Sequence, residues 1–173
     1  MNKKPNNVIT IVHTGFGDTG KTKVGGETIS KTKPIVKFMG LIDECQSLTI
    51  SEYLQNYLFI LGALANNPNN DKYKIELDML YDDLKSRIVK LISDLPPLTG
   101  FIRTTSDNQS LMQLRAKVRQ AEIAYCEHYE TLSETTSTIN LCKYINLLSD
   151  YIFAHIWFCD STFGELKVWE GIK

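Results

Sequence analysis

From Ile35 onward the apolar residues recur at helical spacing, whereas residues 13 to 34 show no such period. The first long segment, about Ile35 to Asn66, reads as helix with a candidate break at Leu48-Thr49-Ile50-Ser51. Asn66-Asn67-Pro68-Asn69-Asn70 is a loop signal. A second helix carries Leu77, Leu80, Leu84, Ile88, Leu91 and Leu95 at spacings of 3, 4, 4, 3 and 4, and Pro96-Pro97 ends it. A third opens at Ser106, with Gln109 placed as its capping-box partner, and has the stripe Leu111, Leu114, Val118, Ala121 and Tyr125. The fourth runs from about Ser137 to Cys159. The tail, Phe163 to Lys173, has two aromatics and no clear period, and Val8 to Val12 is the only strand candidate. Four or five long helices with short connections and no internal repeat imply an all-α, up-and-down bundle.

Composition narrows the class. A chain of 173 residues fits one domain, with a core large enough to need neither disulfide nor metal. Its 43% hydrophobic and 23% charged residues exclude disordered and fibrous classes. With 19 Lys plus Arg against 20 Asp plus Glu, a globally basic nucleic-acid binder is disfavoured, so an anion site must be local. Cys45, Cys126, Cys142 and Cys159 form no Cys-x-x-Cys pair, and three lie in apolar helical segments, where a free thiol behaves as a small core residue. Cys126 and His128, two positions apart on a helix, do not converge on one ion, so no metal site is expected. Met1 to Asn7 lacks the apolar stretch of a signal peptide, and no run of about 18 apolar residues suggests a membrane span. The expectation is a reduced, cytoplasmic protein with no membrane and no nucleic-acid partner.

Gly15-Phe-Gly-Asp-Thr-Gly20-Lys21-Thr22 matches the phosphate-loop pattern G-x-x-x-x-G-K-S/T. That reading, a P-loop NTPase or kinase, needs a helix starting at the lysine. Gly25, Gly26 and Pro34 lie just beyond, which makes such a helix unfavourable, and the parallel strands of that fold are missing after residue 35. The loop can still hold phosphate, because glycines let backbone amides turn toward an anion and Lys21, Lys23, Lys31 and Lys33 supply charge. A solvated N-terminal arm is the plainer alternative.

On the third helix Arg115, Arg119 and Glu122 share one face, where two arginines a turn apart can clamp a polyphosphate. A solvated face with an Arg119–Glu122 pair is the alternative. Asp43 and Glu44 sit among apolar neighbours, and Arg115 or Arg119 are the obvious partners. Asn146 and Asp150 interrupt the apolar fourth helix on one face, as a site or as satisfied buried polar groups.

Three blocks together resemble the PduO-type corrinoid adenosyltransferases. The first is Thr14-Gly-Phe-Gly-Asp-Thr-Gly-Lys-Thr22 followed by Gly25-Gly-Glu-Thr-Ile-Ser-Lys31. The second is Gly40-Leu-Ile-Asp-Glu-Cys-Gln-Ser47. The third pairs Arg115-x-x-x-Arg119-Gln-Ala-Glu122 with Tyr144-Ile-Asn-Leu-Leu-Ser-Asp-Tyr-Ile-Phe153. The blocks cover roughly half the chain in the family's order; residues 48 to 100 match only as helices.

The resemblance implies a ferritin-like five-helix bundle over residues 35–173 with an ATP-binding arm over residues 1–34. It implies a homotrimer with ATP between subunits. The triphosphate would be wrapped by Thr14, Gly15, Phe16, Gly17, Thr22, Lys23 and Lys31, with Arg119, Gln120, Ala121, Glu122, Ile123 and Asn146 completing the nucleotide site. Asp43 would pair with Arg115 across the subunit boundary, and Phe101 would close the lower face of the corrin ring. The implied reaction moves the 5′-deoxyadenosyl group of ATP to cob(I)alamin, giving adenosylcobalamin and triphosphate, with Mg2+ as cofactor and ATP and cobalamin as substrates. A corrinoid reductase and a B12-dependent acceptor enzyme are the implied partners. The chain departs from the family at Gly15, Thr28, Gln120, Ile123 and Leu147, each in place of a basic residue, and in the loop after Phe101. Each missing cation removes ~1 kcal/mol or more of triphosphate binding, so a relative that binds nucleotide or corrinoid without transferring anything is the second reading.

Overall fold

The computed structural model describes residues 15–132, 139–164 and 166–171. Thr14, the candidate strand Val8 to Val12 and the expected helix start at Ser137 lie outside them. In chain order the elements are β1 (Lys21–Val24), β2 (Glu27–Ser30), α1 (Pro34–Ser47), α2 (Glu52–Asn66), α3 (Asp71–Ile92), β3 (Phe101–Ile102), α4 (Gln109–Glu130), α5 (Cys142–Thr162) and β4 (Val168–Trp169). The five-helix, all-α bundle expected from the sequence is the observed architecture.

Local chemistry sets most boundaries. Pro34 stands in the first turn of α1, where its missing N–H is no loss. The expected break is real: α1 ends at Ser47, and Ser51 caps α2 by accepting a 3.5 Å hydrogen bond from the Leu54 amide. Asn70 caps α3 in the same way, at 3.2 Å from the Tyr73 amide. Apolar faces then close the bundle: α1 packs on α2 and α4, α5 on α3 and α4, and α2 on α3. Phe38, Tyr57, Leu61, Leu77, Leu114, Tyr125, Ile145 and Leu148 lie within the core, with Phe38 and Tyr125 edge to face at 5.1 Å.

Three sequence expectations are corrected. The capping box at Ser106 does not form: α4 begins at Gln109 because Asn108 is buried (2% exposed) and used elsewhere. Its side chain accepts from the Thr105 amide at 2.8 Å and donates to Arg103 O at 3.1 Å and to Asp160 Oδ2 at 2.8 Å. Strands also occur outside Val8–Val12, as two antiparallel pairs, β1 with β2 and β3 with β4. Strands of two to four residues are too short to show a hydrophobic period. Finally, Cys126 and Cys142 are not separate core residues: α4 and α5 bring them together, their Cα atoms 6.2 Å apart. No helix among the described residues is long and apolar enough to cross a membrane.

Candidate active site

The glycine segment and the hairpin form one unit. Residues 15 to 20 fold as two consecutive turns, the Asp18 amide donating to Gly15 O and the Gly20 amide to Gly17 O, both at 3.2 Å. Gly25 and Gly26 both take positive φ, +59° and +85°, as a two-residue hairpin turn of matching twist requires. This is why Lys21 opens a strand and no helix. The P-loop reading falls here, and no parallel sheet occurs among the described residues. The Gly25 amide donates to Asn66 Oδ1 at 3.0 Å, and Val24 and Ile29 pack on the core, so the hairpin is docked on the bundle end.

Register sorts the cations. Lys21 pairs with Ser30, Thr22 with Ile29 and Lys23 with Thr28, and the Lys31 amide continues the ladder to Gly20 O at 2.9 Å. Cross-strand partners share a face and successive pairs alternate. Thr22 and, where the ladder continues past Ser30, Lys31 therefore share the face of Val24 and Ile29, with the Lys31 side chain exposed at its edge. Lys21 and Lys23 lie on the opposite, exposed face, with the Lys23 ammonium 5.5 Å from the Phe16 ring centre. The Lys31 ammonium lies against the backbone of Gly17: a Cβ at position 17 would stand 2.8 Å from Lys31 Nζ.

The second cluster runs along the boundary between α4 and α5. Arg115, Arg119 and Glu122 come from α4; Asn146, Asp150 and Phe153 come from α5. The Arg115 guanidinium sits over the Phe153 ring, 4.8 Å from its centre, and its Nε is buried with no hydrogen-bond partner. Burial, and secondarily Arg119, holds the Arg115 pKa below its ordinary value, while Asp150 opposes that shift. Burial raises the Glu122 and Asp150 carboxyls; Arg119 pulls Glu122 back, and Arg115 and Arg119 pull Asp150 back. Two cations and two carboxylates thus share this face without a direct ion pair. Asn146, Arg119 and Gln120 are exposed, Ile123 is 66% exposed, and Ala121 is wholly within the core.

Asp43 and Glu44 are both exposed on α1, a correction to their expected burial. Glu44 pairs with Lys117 of α4, not with Arg115 or Arg119. The pair is largely solvated and contributes at most ~1 kcal/mol. Asp43 has no ion-pair partner among the described residues and borders a shallow groove of about 230 Å3 with Phe59 and Met39. Phe101 is 75% exposed, its ring centre 6.2 Å from that of Trp169 through the β3–β4 pairing. Asn108 and Asp160 anchor the loop that follows it; sequence reasoning missed both, although Asp160 interrupts the apolar run of α5 much as Asp150 does.

Within one chain no hydrogen bond or ion pair joins the hairpin cluster to the α4–α5 cluster among the described residues. A cleft of about 630 Å3 lies behind the hairpin turn between Asn66, Pro68, Tyr125 and His128, and takes in none of the expected site residues. A smaller one of about 400 Å3 borders Glu122, Ile123 and Cys126. Geometry and residue type favour the two clusters over the larger void, because they alone combine anion donors with a shared face. Among the described residues no three His, Cys, Asp or Glu side chains converge on a metal-sized space.

The architecture is a five-helix bundle with a glycine-rich hairpin docked on its end, and solved structures carry the same fold. A phenylalanine-to-histidine variant of a PduO-type ATP:corrinoid adenosyltransferase from Lactobacillus reuteri, complexed with cobalamin and ATP, superposes with a TM-score of 0.77 at 22% identity, covering 94% of this chain and 98% of that one. A phenylalanine-to-alanine variant with the same ligands gives 0.75 at 22% identity over 92% and 99% of the two chains. An arginine-to-lysine variant complexed with ATP gives 0.74 at 22% identity over 91% and 99%. The family model described as cobalamin adenosyltransferase matches residues 12–159, and the chain belongs to this family of enzymes. No curated protein matches the chain.

Proposed function

We propose that the protein transfers the 5′-deoxyadenosyl group of ATP to cob(I)alamin at a site completed between copies of the chain in a homotrimer. One observation carries the reading: in a chain of this family, the candidate anion-binding residues fall into two clusters, and among the described residues Thr22, Lys23 and Lys31 make no hydrogen bond or ion pair with Arg115, Arg119, Glu122, Asn146 or Asp150. The orphaned Nε of Arg115 and the unpaired Asp43 fit the same arrangement. Leaving a buried donor unsatisfied costs about 1–3 kcal/mol, which a carboxylate from a neighbouring copy offsets.

Gly15, Phe16, Gly17, Thr22 and Lys31 would bind the triphosphate from the hairpin side, with Thr14 continuing the segment and Lys23 at the rim beside Phe16. Arg119, Glu122 and Asn146 would bind it from the α4–α5 side, flanked by Gln120 and Ile123; buried Ala121 sets the helix packing behind them. Cobalt(I) is the nucleophile: its electron pair forms the Co–C5′ bond as the C5′–O bond breaks and triphosphate leaves with the bonding pair. The protein then needs only to hold C5′ in line and to stabilise charge on the leaving group. Arg119 and Lys31 do the latter. Mg2+ would be carried by the triphosphate oxygens, as is usual for this ion with nucleotide substrates. Exposed Phe101 would cover the lower face of the corrin and exclude an axial ligand. The reductase and the B12-dependent acceptor follow from the need for Co(I) and for an outlet for the product, and the cytoplasm is the compartment that suits both.

A relative that only binds is favoured by one feature: exposed Ile123 and Thr28 stand where the family carries arginine. The test is an anaerobic assay with ATP, Mg2+ and chemically reduced cob(I)alamin, following the absorbance change as the Co–C bond forms. Turnover with triphosphate release establishes the transferase. ATP binding without turnover selects the binding-only relative.

A further inference from the structure

The boundary between α4 and α5 ends in a cysteine pair. Cys126 of α4 and Cys142, the first residue of α5, have Cα atoms 6.2 Å apart, within the span of a disulfide. Four residues before Cys126 comes Glu122, and four residues after Cys142 comes Asn146. The next rungs along the same faces are Arg119 with Asp150, then Arg115 with Phe153, whose stacking fixes the pairing of the two helices. The cysteines are thus the terminal rung of the ladder that carries the α4–α5 half-site.

We infer that Cys126 and Cys142 are a reversible dithiol–disulfide site whose oxidation orders this half-site for its nucleotide. The inference rests on the nucleotide reading given above. Both cysteines are half-buried, and Cys126 borders the cleft of about 400 Å3 beside Glu122, so a small thiol reagent can reach the pair. The remaining thiols are poor competitors. Burial pushes Cys45 up to about 12, and Cys159 is raised by burial and then by Asp160. When the bond opens, the ends of the two helices are held by packing and by the Tyr125 hydroxyl donating to Ile139 O at 2.8 Å. Asn146 and Glu122, one turn away, then gain freedom that binding must remove again.

The chemistry is thiol–disulfide exchange with a low-molecular-weight disulfide. A thiolate of the pair attacks the reagent and forms a mixed disulfide, releasing one reagent thiolate. The second cysteine displaces the other. Two electrons and two protons pass from the protein to the reagent, which leaves as two thiols, and excess reagent thiol reverses the reaction.

The full-length protein, equilibrated over a range of reduced-to-oxidised glutathione ratios, is alkylated and weighed while its ATP affinity is measured calorimetrically. Cys126 and Cys142 should become protected together at one midpoint, and the ATP Kd should rise about fivefold on reduction and return on reoxidation. Cys142→Ser should hold the weaker affinity at every ratio. The reversible change in the unsubstituted chain stands even where that variant folds poorly. Independent protection of the two cysteines, or equal affinities in both states, would overturn the inference while leaving the nucleotide reading intact. Failure of both states to bind ATP would overturn both readings.

Discussion

The hairpin and the α4–α5 boundary both gather anion-binding groups, but by different physical means. In residues 15 to 31 the backbone does the work: two turns, a positive-φ glycine pair and a ladder of four Cα pairs decide which lysine faces which way. Almost nothing there is buried, so the arrangement rests on hydrogen bonds and on the docking of Val24 and Ile29. Along α4 and α5 the backbone is ordinary helix, and packing decides. Leu114, Val118, Ala121, Ile145 and Leu148 fill the core and thereby hold Arg115, Arg119, Asn146 and Asp150 on the adjoining face. Under the proposed function, a site made of two such halves would combine a backbone-built loop with a packing-built helix face, and each half would fail in its own way when altered.

The platform should show the larger effect. Arg119→Ala removes an exposed, fork-shaped donor and should weaken ATP binding by roughly ten- to a hundredfold in calorimetric titration, the loss of one or two charge-assisted hydrogen bonds. Its melting temperature should stay within about 2 °C of the unsubstituted protein, because no core contact is lost. A large fall in stability would mean that Arg119 belongs to the packing instead.

Gly17→Ala tests the loop. The new methyl would meet the Lys31 ammonium at 2.8 Å, and the flexible lysine would move aside without disturbing the fold. ATP should bind about fivefold more weakly, with the far-ultraviolet circular dichroism unchanged. Unaltered affinity would remove Lys31 from the triphosphate. The smallest effect separates the two faces of the hairpin. Lys21→Ala, on the outer face opposite Thr22 and Lys31, should change the ATP Kd less than about twofold, whereas a P-loop lysine would abolish binding.

The helices were legible because their apolar periods are long. The stripe through Leu77 and Leu84, the break before Ser51 and the loop at Asn67-Pro68 all stand where the spacing places them. One boundary moved for a tertiary reason. Asn108 was unreadable as the residue before α4, because its partners Arg103 O and Asp160 are brought to it only by folding. Helix α3 stops at Ile92, short of Pro96-Pro97, with Ser93 at its end, and nothing in the fold explains why it stops there. Asp43 and Glu44 looked buried by their neighbours, yet a helix face turns by 100° per residue and both point outward.

The sequence alone determined the bundle, the glycine-rich segment's inability to begin a helix at Lys21, and the membership carried by its three motif blocks, since periodicity, backbone freedom and residue order are local properties. Only the tertiary structure decided that Lys21 and Lys31 face opposite ways, that Lys117 takes Glu44, that Cys126 reaches Cys142, and that Arg115 stacks on Phe153. Those are facts of register, facing and distance between segments remote in sequence, and nothing in the local pattern encodes them one residue at a time.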